Sequence, residues 1–78
     1  MDNIAETVAL LRRQAELEIR LANNPSAAVA TERELEHLTR RLAIHPHAVN
    51  AVLQTALALR RTPDAITARD VEALTPAI

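Results

Sequence analysis

The chain contains no glycine, no cysteine, no lysine and no Phe, Trp or Tyr. Without cysteine there is no disulfide, no thiolate metal site and no cysteine nucleophile. Without glycine no Gly-rich phosphate loop can be built. Without aromatics, every core position must be filled by Leu, Ile, Val, Ala or the single Met, so packing rests on many small contacts rather than a few large anchors. No apolar run approaches the roughly 18 residues that span a bilayer, so no membrane partner is expected. The opening stretch lacks the basic and apolar regions of a secretion signal. A cytoplasmic, bacterial-type setting is the corresponding expectation.

What is present favours helix. The 78 residues are rich in Ala, Leu, Glu and Arg, and these are strong helix formers. That length predicts one domain, 1–78, burying only about 60–65% of the surface its unfolded chain exposes. Such a core is marginal, and small helical proteins often gain stability by dimerising. The expected fold is all-α: a small helical bundle with a long N-terminal helix (1–24), a helix-turn-helix pair (31–61) and a short C-terminal helix (66–75). Asn3 and Glu6 have capping-box spacing, as do Thr31 and Glu34, and Thr67 and Asp70. Ile66 and Val71 take the hydrophobic-staple positions around the last of these. Asn23-Asn24-Pro25 and Thr62-Pro63-Asp64 interrupt helical periodicity, and Pro46 suits a first helical turn because it has no N–H to leave unpaired.

Charge is unevenly placed. Net charge is −1 overall, yet residues 37–63 carry Arg40, Arg41, Arg60 and Arg61, all three histidines and no acid. Within this basic block, Leu38, Leu42, Ile44, Val49 and Val52 follow the spacing L-x3-L-x-I-x4-V-x2-V. In a helix-turn-helix two such residues anchor the first helix, one plugs the turn and two fix the second. The segment "LAIHPHAV" (42–49) resembles the turn of repressor-type helix-turn-helix DNA-binding domains, where "LGVSPSTV" is a common type of sequence. The resemblance is confined to residues 35–61. Ala43 replaces the glycine frequent in that turn, and Thr39 replaces an alanine usual in the first helix. The resemblance implies a small transcriptional regulator that binds double-stranded DNA.

At about 100° per residue, Val49, Val52, Leu53, Ala56, Leu57 and Leu59 gather on one side of the third segment. The opposite side holds His47, Asn50, Ala51, Gln54, Ala58 and Arg61. Asn and Gln pair bidentately with adenine, Arg with guanine, and Ala touches a thymine methyl. His47, Asn50, Ala51, Gln54 and Arg61 are therefore the expected base-facing set. Arg40, Arg41 and His45 are expected on phosphates, where contacts set register.

The first segment has a broad apolar face. Ile4, Val8, Leu10, Leu11, Leu17 and Leu21 on it are read as a dimer or partner surface, with a homodimer as the expected assembly. The alternative function is a non-enzymatic helical protein–protein interaction module, such as a secretion-system chaperone or assembly subunit or an antitoxin-like partner. No enzyme activity and no cofactor are expected. The histidine spacing H-x7-H-x-H matches no common metal site. The single E-x-x-H of Glu34 and His37 lacks the second motif that a di-iron bundle requires.

Overall fold

Asn3 opens the first helix by the expected local chemistry. Its backbone is extended, and its side-chain oxygen accepts the Glu6 N–H at 3.0 Å. The computed structural model describes residues 3–74, in which four α-helices and two 3₁₀ turns make an all-α fold. Helix α1 runs Ile4–Asn23 and stops where Pro25 forces Asn24 out of the helical region. The Asn24 N–H still donates to the Arg20 carbonyl at 2.8 Å.

Helix α2 is Ala28–Leu42, entered directly from a 3₁₀ turn at Pro25–Ala27. It therefore begins three residues before Thr31, the expected cap. Thr31 is instead a buried residue inside the helix. The reason is propensity: Pro25 presets a helical φ, and the following Ala-Ala-Val-Ala coils without needing a polar cap. Ala43, in the turn after α2, has φ −64°, so the turn does not require glycine.

Helix α3 is Pro46–Leu59, with Pro46 in its first turn. It ends two residues short of the expected Arg61, at a left-handed Arg60 with φ 54°. The Arg61 N–H reaches the Ala56 carbonyl at 2.9 Å and the Arg60 N–H reaches Leu57 at 3.3 Å. This is the double closure of a Schellman motif, made here without the usual glycine. A 3₁₀ turn at Pro63–Ala65 leads to α4, Ala68–Leu74. Both halves of the Thr67–Asp70 capping box are present at 3.0 and 3.2 Å. Ile66 and Val71 are fully buried beneath it. Residues 1, 2 and 75 of the expected helices lie outside the described residues.

Helix α1 is the hub and touches every other element. On one side Leu10 and Leu17 pack with Leu38 and Leu42 of α2. On the other, Val8 packs with Val52 and Ala56 of α3, Ile66 and Val71. Leu11 borders both clusters. Each fully buried aliphatic side chain contributes about 1.5–3 kcal/mol relative to exposure. Polar ties reinforce the hub. Arg13 joins Glu16 and, on α2, Glu34; those hydrogen bonds, Glu34 first, raise the Arg13 pKa above its ordinary value. Arg12 donates to the carbonyls of Asp64 and Ile66, both at 3.3 Å, and so closes the loop before α4.

This arrangement corrects the reading of α1 as a partner surface. Val8, Leu10 and Leu17 are core, and Ile4, Leu11 and Leu21 are half-buried. The face is broad because α1 serves three helices, not because it is left open. Helices α2 and α3 both pack on α1 and approach each other closely at few points.

Candidate interaction surface on the third helix

From Pro46 to Leu59 there is no Asp, Glu, Lys or Arg. A helix that is hydrophobic all round is normally buried; α3, neutral but interrupted by His47, Asn50 and Gln54, is buried along one stripe only. Its buried stripe is Ala48, Val52, Thr55 and Ala56. The two small alanines and Thr55, whose hydroxyl donates to the Ala51 carbonyl at 2.8 Å, line this stripe. The helix is rotated so that these small side chains face inward.

The rotation moves the apolar side expected inward. Relative to the leucine-centred face, the buried stripe lies roughly 65° around the helix at 100° per residue. Val49, Ala51 and Leu59 are half-buried, but Leu53 is 41% exposed and Leu57 is 73% exposed. Leu57 therefore faces water beside Asn50 and Gln54, with His47 and Ala58 on the adjoining strip. Leu53 also lines a groove of about 240 Å³, together with Leu11, Gln14, Ala15 and Glu18 of α1 and Pro63 and Asp64. Among the described residues, Glu18 and Asp64 make no ion pair.

The residues expected on phosphates have protein partners. His45 is only 8% exposed. Its Nδ1 accepts the Asn3 N–H at 3.2 Å and its Nε2 lies 3.0 Å from Glu6 Oε2. A neutral ring protonated at Nε2 satisfies both contacts. The reading of His45 as an open phosphate ligand is thus corrected: the histidine closes the α1 cap, and Glu6 turns to it instead of completing its own capping box. Arg41 is bound to the other Glu6 oxygen. Arg40 is paired with Glu36 at 2.7 Å, and Arg61 lies 3.7 Å from Asp70.

Of the expected base-facing set, His47, Asn50, Gln54 and Arg61 are exposed and Ala51 is half-buried. Ile44, expected to plug the turn, is 70% exposed. Leu38, Leu42 and Val52 are buried as the pattern requires, with Val49 packed beside the first two. Sequence reasoning missed Leu53 and Leu57 as surface groups and Glu6 as the histidine's partner. The only available signal for the leucines was the run of small residues at 48, 51, 55 and 56, which marks a close-packing stripe.

Among the described residues, no three His, Asp or Glu side chains are placed to hold a metal ion, and no helix is long and apolar enough to cross a membrane. No protein-family model, curated protein or solved structure matches this chain.

Proposed function

We propose that this chain is a non-enzymatic protein–protein interaction module that engages its partner through the outer face of α3. One observation carries the reading: a helix of 14 residues without a formal charge presents Leu53 and Leu57 to solvent among neutral amides. Depletion of charge at the centre, not hydrophobicity overall, distinguishes protein interfaces from other surface. Charges flank this face instead: Glu18 and Asp64 line the groove beside Leu53, Arg60 and Arg61 follow the last residue of α3, and Arg40 and Arg41 precede it in the chain.

A second reading keeps one observation in its favour. Asn50 and Gln54 are accessible on the same helix, with four arginines beyond its ends, so a duplex DNA contact has its base-reading groups. It is disfavoured because α3 has no cation of its own, while Arg40, Arg41 and His45 are engaged by glutamates. Counterion release, the main source of affinity for DNA, needs cations free to meet phosphates.

A photo-activated cross-linker placed at Leu57, with Glu32 on α2 as control, separates the readings in the producing cell. A protein adduct at position 57 alone is the expected result. A nucleic-acid adduct, with binding that falls steeply with salt and weakens by about 1–3 kcal/mol in Asn50→Ala or Gln54→Ala, selects the DNA reading. No adduct at position 57 overturns both.

A further inference from the structure

We infer that the partner of the α3 face is a second copy of this chain, packed about a two-fold axis; the inference rests on the interaction-module reading above.

Self-complementarity is the first argument. A two-fold interface brings the same patch from both copies together, so any charge at its centre meets its own like. Helix α3 has none. Two copies stack Leu53 and Leu57 against each other with Asn50 and Gln54 alongside, and no like charges are forced together in the middle.

The second argument is what the rim offers. Glu18 and Asp64 flank the groove beside Leu53 and have no cationic partner among the described residues. Arg60 stands exposed just past the last turn of α3 and makes no ion pair among the described residues. Two-fold packing supplies each with the other: Arg60 of one copy meets the Glu18 and Asp64 side of its mate, and the same contact repeats across the axis. The apolar centre provides the affinity, and the paired rim fixes the register.

Sedimentation of the full chain from about 1 to about 100 µM is the test, with far-ultraviolet circular dichroism as the check on folding. The parent sediments at twice the chain mass. Leu57→Glu raises the dissociation constant roughly 100-fold, because a carboxylate at the apolar centre has no partner, and leaves helix content unchanged. Arg60→Glu weakens association about two- to five-fold, the range of a rim ion pair, and adding Glu18→Arg with Asp64→Arg restores it. A parent that stays at single-chain mass, or a dimer indifferent to Leu57→Glu, overturns the inference. Weakening by Arg60→Glu that the charge swap does not restore overturns the register. A single-chain mass together with a cross-link from position 57 to a different protein rejects the second copy and retains the interaction module. A single-chain mass with no cross-link rejects both.

Discussion

Leu17 offers the sharpest contrast between a core and a contact surface. It lies on the broad apolar face of α1, is 0% exposed, and sits with Leu10, Leu38 and Leu42. Truncation to alanine removes three carbons, about 2.4 kcal/mol of transfer free energy at 0.8 kcal/mol each. The cavity left behind adds to that, and buried Leu→Ala changes cost about 2–5 kcal/mol in all. Partial relaxation around the cavity places the expected cost near 3 kcal/mol. The whole stability of a 78-residue domain is about 4–12 kcal/mol, so Leu17→Ala removes a quarter or more of it. Leu57→Ala, at a position mostly in water, should stay within about 0.5 kcal/mol for the monomer. Intrinsic fluorescence is silent in a chain without Trp or Tyr, so urea unfolding is followed by circular dichroism at protein concentrations low enough to hold single chains. The midpoint should fall for Leu17→Ala with the slope unchanged. A cost below about 1 kcal/mol at Leu17, equalled or exceeded at Leu57, would refute the packing and return α1 to the role of partner surface.

Three further outcomes follow from the same geometry. His45→Ala removes both the acceptor for the Asn3 N–H and the donor to Glu6; it should lower stability by about 1–3 kcal/mol in urea unfolding, whereas unchanged stability with weakened duplex binding would restore its phosphate role. Arg60→Gly relieves a left-handed non-glycine residue and should raise monomer stability by about 1 kcal/mol in thermal unfolding; a loss would mean the Arg60 side chain contributes more to the monomer than its backbone costs. Asp70 is held below the ordinary carboxylate range, first by the Thr67 N–H and then by the Thr67 hydroxyl and Arg61. Its folded pKa is depressed, so its contribution is complete above about pH 4, the unfolded value, and is lost as pH falls through the folded value. Asp70→Asn should flatten that part of the acid-unfolding profile, and an identical profile in parent and variant would remove the capping role.

Much of the architecture was legible because helix ends are local. A cap needs one side-chain oxygen and an N–H two or three residues on, all within a few positions of the chain. Asn3, Pro46 and the Thr67–Asp70 pair therefore announced their helices in the linear sequence, and the structure has them. Thr31 failed because the same local signal competes with helix propensity upstream, and Ala28–Ala30 won. Burial of Leu38, Leu42 and Val52 was equally readable, since each lies on the apolar face of its own helix under any reasonable rotation.

The rotation itself was not readable. Hydrophobic periodicity weights a leucine above an alanine, so it pointed Leu53 and Leu57 inward and left Ala48 and Thr55 unremarked. Packing weighs the fit of the whole helix surface against its neighbours, and in that fit the small residues Ala48, Thr55 and Ala56 are the ones buried with Val52. The same holds for His45. Nothing in residues 38–53 says that Asn3 and Glu6, some forty positions away, will present an N–H and a carboxylate to the ring. Composition and spacing determined an all-α chain with a basic, uncharged-cored middle. Only the docking of four helices on one another decided which face of α3 met water, because that choice belongs to the sum of contacts between elements and to no single element's pattern.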